Sequence, residues 1–199
     1  AGIQADIKTA TSLGVYAMTA ITAITAQNTT GVKSIIPVPP KEIFNQISFS
    51  VQDIKPNSVK IGMLQNVGVI KEVIKAIKKY KLKNIIIDPV MVAKGGHRLI
   101  SNSSINYLRK KLLPFALLVT PNIPEAEALI KKKIKTLDDV INAGKEILKF
   151  GPKFVLIKGG HANKSFIEDV LISKNNIKIF FIKYITNFFS LLLKKKFIY

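Results

Sequence analysis

Three consecutive isoleucines, Ile85-Ile86-Ile87, stop abruptly at Asp88-Pro89. A short run that is apolar at every position has no face to turn to water, so it suits a strand covered on both sides within a parallel sheet. Parallel strands need long crossovers, and the flanking sequence supplies them. Before the isoleucines, Val67 to Tyr80 places Ile70, Val73, Ile74 and Ile77 on one helical stripe, with lysines outside it. After them, Ser101 or Asn102 is suited to cap a helix that leads to a second apolar strand, Ala116 to Thr120.

The same alternation runs through the rest of the chain. Ile7, Ala10 and Leu13 share a helical face that Gly14 closes, and Tyr16 to Thr25 reads as a strand. Pro39-Pro40 open a helix whose apolar set is Ile43, Phe44, Ile47, Val51 and Ile54, and Val59 to Leu64 follows as a strand. Pro124 to Ile130 is helical. Thr136-Leu137-Asp138-Asp139 has the form of a capping box before Val140 to Phe150, with Gly151 as the stop. Phe154 to Ile157 is a strand, and Phe166 to Ile172 with Ile177 to Ile182 form a hairpin across Lys174-Asn175-Asn176. Neither an internal repeat nor an interdomain linker is visible. The expectation is an α/β fold of three layers (α/β/α) with a central, mostly parallel sheet.

Composition narrows the chemistry. There is no cysteine, so disulfides, thiolate metal sites and a cysteine nucleophile are absent from these 199 residues. The two histidines, His97 and His161, are too far apart for metal-site spacing. The net charge of +19 raises the question of nucleic acid, but all the basic residues except Arg98 and Arg109 are lysine. Readers of nucleic acid rely on arginine for bidentate and stacking contacts. The charge is therefore read as lysine drift that can still draw phosphorylated ligands, with neither a specific nucleic-acid partner nor a membrane partner. No signal peptide is visible and no apolar run nears the ~20 residues that span a bilayer, so a cytoplasmic location is expected.

In a parallel sheet, ligands bind beyond the carboxyl ends of the strands. The strand ends here are polar or glycine-rich. Gln27 offers a donor and an acceptor side by side, the complement of an aminopyrimidine edge. Gly62 permits close backbone approach, and Met63 can lie against a flat ring or simply fill the core. Asp88 can hold Mg²⁺ through water. Asn122 and Glu125 can face one mouth, although a carboxylate in a first helical turn is also favoured by the helix dipole alone. Lys158-Gly159-Gly160 can grip a polyphosphate with an ammonium and backbone amides.

Taken in order, these segments resemble one family. Ala1 to Thr9, Ile21 to Thr29, Lys60 to Leu64, Asp88 to Met91, Thr120 to Ala126 and Ile157 to His161 are similar to successive motifs of the hydroxymethylpyrimidine/phosphomethylpyrimidine kinases of thiamine biosynthesis, which belong to the ribokinase-like superfamily. The resemblance implies ATP-dependent phosphorylation of 4-amino-5-hydroxymethyl-2-methylpyrimidine and then of its monophosphate, with ATP and Mg²⁺ as cofactors. It implies that Gln27, Met63 and Val90 line the pyrimidine pocket, with Gly2 and Asp6 beside the substrate. It further implies that Asp88, Asn122 and Glu125 organise Mg²⁺ and the ATP phosphates, Asp88 and Glu125 holding the metal through water, and that Lys158, Gly159 and Gly160 border the nucleotide. A homodimer is also implied, as among relatives.

The family pattern continues into a Thr-His-Gly-Thr-Gly-Cys motif that supplies an anion hole and a base. After Gly160 this sequence contains no glycine, and residues 174–199 carry no family motif while holding five of the eleven phenylalanines. The expectation is a partial kinase domain over residues 1–173 and a divergent tail over 174–199, from a fragment or a reading frame shifted after about Lys178, with impaired turnover. Two alternatives stand beside it: a noncatalytic pyrimidine-binding remnant, and a kinase of pyridoxal-type substrates.

Overall fold

The computed structural model describes residues 2–28, 31–91, 99–159 and 166–183. Helix α1 (Ile3–Ser12) is followed by strands β1 (Ala23–Gln27) and β2 (Val32–Pro37), then by α2 (Pro40–Asp53) and β3 (Val59–Ile61). Next come α3 (Val67–Tyr80), β4 (Ile85–Ile87) and α4 (Asn102–Tyr107), the last extended by a wide turn over Leu108–Leu112. The remaining elements are β5 (Ala116–Val119), α5 (Ile123–Ile130), α6 (Leu137–Leu148), β6 (Phe154–Ile157), β7 (Phe166–Ser173) and β8 (Ile177–Lys183).

Six strands make one sheet in the order β3-β4-β5-β6-β7-β8. The first four are parallel, and β7 and β8 are antiparallel additions. Each parallel step moves to the adjacent strand in one direction, so right-handed crossovers put α3, α4, α5 and α6 on a common face. Burial agrees with that geometry. Ile61, Ile85, Ile87, Val119, Val155, Ile157, Val170 and Ile172 are buried against these helices. The alternate residues Ile86, Leu118 and Leu156 are only half-buried, because they point to the other face. Lys60 pairs in register with Ile86 and lies on that second face, where its ammonium meets Asp6 of α1. Helices therefore flank both faces of the sheet, with the packed core on one of them.

Local chemistry sets the boundaries. The Asn66 side chain caps α3 by accepting from the Val69 amide, and Ser101 accepts from the Ser104 amide to start α4. Thr136 and Asp139 form the reciprocal capping box that their spacing predicts at α6. Gly151 follows α6 with φ +109°, a backbone region where a side chain is strained, and its α-carbon faces the backbone of Pro114.

The expected strand over Tyr16 to Thr25 is corrected. Residues 15–22 form no strand; strand pairing begins at Ala23, preceded by one bond from the Val38 amide to the Thr22 carbonyl at 3.2 Å. The partner of β1 is β2, which the sequence reading did not identify, and the two make a separate antiparallel ribbon. The ribbon exposes Ile24 and Ile36, so neither face carries the period-2 burial that marks a strand. Strand β8 begins beyond residue 173 and pairs with β7 along its length.

Candidate active site

The carboxyl ends of β3, β4, β5 and β6 meet at Asp88. The Asp88 amide donates to the Ile61 carbonyl at 2.8 Å and the Thr120 amide to the Ile87 carbonyl at 2.9 Å, so the chain beyond each strand stays in line with its neighbour. The Lys158 amide donates to the Pro121 carbonyl at 2.8 Å, extending the pairing between β5 and β6 to the rim.

The side chains converge in the same place. Lys158 Nζ lies 2.8 Å from Asp88 Oδ1, and the Thr120 hydroxyl donates to that oxygen at 3.3 Å. Lys60 Nζ stands 3.9 Å from the other oxygen, Oδ2, and is itself held by Asp6 at 2.9 and 3.1 Å. The result is a row of alternating charge across the rim, Asp6–Lys60–Asp88–Lys158. All of its strand-borne members lie on the sheet face away from α3 to α6, as the alternation along each strand requires.

Gly159 completes the row. Its amide donates to Asp169 Oδ1 of β7 at 2.8 Å. A β-carbon at Gly159 would stand 2.4 Å from the Glu168 carbonyl oxygen, so only glycine lets the two backbones approach this closely. The lysine–glycine turn is thereby fixed to the antiparallel hairpin on one side and to Asp88 on the other. Gly160 lies outside the described residues.

Asn122 and Glu125 serve α5 first. Asn122 Oδ1 accepts from the Glu125 amide and Glu125 Oε2 from the Asn122 amide, both at 2.9 Å. Glu125 thus serves the first turn of α5 through a capping box that the sequence reading did not name, yet the carboxyl is also 4% exposed, close to Asp88 and Lys158. Desolvation is the largest influence on it and raises its pKa above the ordinary 4.5; the Asn122 amide and Lys158 oppose the rise and Asp88 adds to it. A carboxyl with a raised pKa in the native state binds protons that the unfolded chain releases, so it stabilises least at high pH. Stability is expected to fall as pH climbs from about 4.5 through the native pKa. Glu125→Gln keeps an acceptor for the Asn122 amide and removes the buried charge. Its stability relative to the parent should therefore rise with pH over that window, as followed by chemical denaturation at pH 4, 6 and 8.

The remaining expected residues are more dispersed. Thr22 donates to the Met63 carbonyl at 2.8 Å, which ties the approach to β1 to the loop after β3, and Gln46 of α2 grips the backbone of Ile21 through both its amide groups. Val90 follows Asp88, its amide donating to the Asp88 carbonyl at 2.8 Å. Gly2 caps α1 at φ +78°, one turn before Asp6. Gln27 is exposed at the far end of β1, and among the described contacts none joins its side chain to the Asp88 group. Lys60, Thr120 and Asp169 belong to the cluster although sequence reasoning assigned them no role. A charged residue inside an apolar strand is the signal that singles out Lys60. No group of three or more metal-ligating side chains occurs among the described residues. Asp88 with Glu125 behind it instead fits a cation bound through water and ligand phosphates, the usual habit of Mg²⁺.

The strand ends of this parallel sheet present a carboxylate between two ammonium groups, and the α/β fold is ribokinase-like, as the following likenesses show. A family model described as phosphomethylpyrimidine kinase matches residues 1–188, and the chain belongs to that family. It is 46% identical over 172 residues to the hydroxymethylpyrimidine/phosphomethylpyrimidine kinase of Bacillus subtilis, covering 86% of this chain and 64% of that protein's length. The structure of phosphomethylpyrimidine kinase from Clostridium difficile 630 superposes with a TM-score of 0.83 at 46% identity, over 92% of this chain and 78% of that one. An ADP complex of Bacillus subtilis pyridoxal kinase gives a TM-score of 0.83 at 34% identity, over 94% and 70% of the two chains. No helix among the described residues is long and apolar enough to cross a membrane.

Proposed function

We propose that the protein transfers the γ-phosphoryl group of ATP to 4-amino-5-hydroxymethyl-2-methylpyrimidine and then to the resulting monophosphate. The observation that carries this reading is the row of opposed charges centred on Asp88, at the strand ends where an α/β sheet binds its ligand. In the first transfer the hydroxymethyl oxygen bonds to the γ-phosphorus, the bond from that phosphorus to the bridging oxygen breaks, ADP leaves and the hydroxyl proton passes to solvent water. Such transfer is chiefly positioning and stabilisation of developing charge. Lys158 and the turn at Gly159 suit the donor phosphates. Asp88 would hold Mg²⁺ through water, supported by Glu125, and the ion would offset the charge of the donor phosphates when bound. Met63 and Val90 suit the acceptor ring, and Gln27 its amidine edge once β1 and the acceptor are brought together.

These 199 residues hold no cysteine, so the test reads binding as well as turnover. Calorimetric titration with the hydroxymethylpyrimidine, alone and with ATP and Mg²⁺, is expected to show one saturable site tightened by nucleotide. An ATP-coupled assay against a full-length relative then measures how much turnover these residues retain. Absence of pyrimidine binding, or tighter binding of pyridoxal than of the pyrimidine, overturns the assignment.

A further inference from the structure

We propose that Lys60 is a second phosphate position, on the acceptor side of Asp88, which receives the phosphate already carried by a phosphorylated acceptor. The inference rests on the pyrimidine-kinase reading and specifies how the same site handles its second substrate. The two ammonium groups divide Asp88 between them. Lys158, beside the Gly159 amide, takes Oδ1 at 2.8 Å; Lys60, on the strand next to that of Asp88 and three residues before Met63, stands 3.9 Å from Oδ2. One cation therefore belongs to the lysine–glycine turn that suits the donor, and the other to the strand that leads into the acceptor pocket.

The two transfers make different demands. The first acceptor is a neutral alcohol that must lose a proton. The second acceptor oxygen belongs to a phosphate that is already ionised, so no base is needed and the ionised oxygen attacks the γ-phosphorus directly as ADP departs. The obstacle is electrostatic: a dianion must approach a triphosphate in the company of Asp6 and Asp88. A cation on the acceptor side answers this, and Lys60 is the one that the described geometry supplies. Its present partner is easily exchanged. The Lys60 and Asp6 side chains are 41% and 50% exposed, and an ion pair in such surroundings is weak. An entering phosphate takes over the ammonium, and Asp6 returns to water.

The test compares affinities for 4-amino-5-hydroxymethyl-2-methylpyrimidine and for its monophosphate, by calorimetry on the full chain. The quantity read is the ratio of the two dissociation constants, which a general loosening of the site does not move. Lys60→Met is expected to lower the preference for the monophosphate about tenfold, the loss of one charge-assisted hydrogen bond. Lys60→Arg should restore most of it. Asp6→Asn should raise the preference, because it frees the ammonium and removes a negative charge; a purely structural link between α1 and β3 predicts no such rise. If Lys60→Met melts the protein, Asp6→Asn decides. A ratio left unchanged by a folded Lys60→Met, or by Asp6→Asn, overturns the inference alone. Failure of the unmutated chain to bind either ligand overturns the pyrimidine reading and the inference with it.

Discussion

Asp88→Asn is expected to invert the metal dependence of nucleotide binding. In the parent, the Asp88 carboxylate neutralises Lys158 through Oδ1 and lies near Lys60 through Oδ2. Its side chain is 23% exposed, so these charges are less screened than on an open surface. Asparagine keeps the size and one acceptor oxygen but removes the charge. Two ammonium groups then face the rim without their shared partner, and free triphosphate should bind about tenfold more tightly in chelator. With Mg²⁺ present the change runs the other way, because the carboxylate that would hold the ion through water is gone, and affinity should fall by a similar factor. Calorimetry with ATP, with and without Mg²⁺, reads both signs in one experiment. Equal shifts in the two conditions would mean that Asp88 acts only on its lysines.

Gly159→Ala should have the largest effect on stability of any single methyl group added at the rim. The added carbon would meet the Glu168 carbonyl oxygen at 2.4 Å, and the obstacle is backbone rather than the tip of a movable side chain. Either β6 and β7 separate at this point or the Lys158–Gly159 turn rotates outward. Separation strains the pairing that holds Ile157 against Val170, both fully in the core. Rotation breaks the 2.8 Å bond from the Gly159 amide to Asp169 and moves Lys158 away from Asp88. Overpacking of this kind costs roughly 1–3 kcal/mol, and loss of the partly buried hydrogen bond adds about 1 kcal/mol. Urea denaturation should show the loss, together with a fall in nucleotide affinity that exceeds what the unfolded fraction explains. A variant with parental stability would mean that the two backbones can separate there at no cost.

The central units of the fold were legible because two periodicities and their punctuation agreed. Helix α3 and strands β4 and β6 begin and end at the expected residues, since a strong 3.6-residue stripe or an unbroken apolar run is bounded in each case by a cap, a proline or a polar strand end. The β1–β2 ribbon was not legible. Its residues are extended without being half-buried, so hydrophobic pattern carries no information about it, and its pairing is set across the chain between Ala23 and Pro37. The site divided in the same way. Asp88, Glu125 and Lys158 stood out as polar residues at the ends of buried strands, and the structure brings them together. The role of Lys60 was hidden because its partners, Asp6 and Asp88, are remote in sequence, and only the sheet register makes them neighbours. Asn122 and Glu125 show a third outcome: the sequence reads as a pair facing one mouth or as a carboxylate favoured by the helix dipole, and the structure places them in a capping box close to Asp88 and Lys158.

The parity of the strands has a consequence for how this protein can change. Along β3 to β6, one set of alternate residues builds the dry interior and the other carries the charged row at the rim. A slip of a single residue in β3, β4 or β6 would exchange the two sets, burying an ammonium or a carboxylate where an isoleucine belongs. The charges that would handle a ligand therefore also proofread the alignment of the sheet. A lineage can repaint one side of the strands residue by residue, but it cannot shift them.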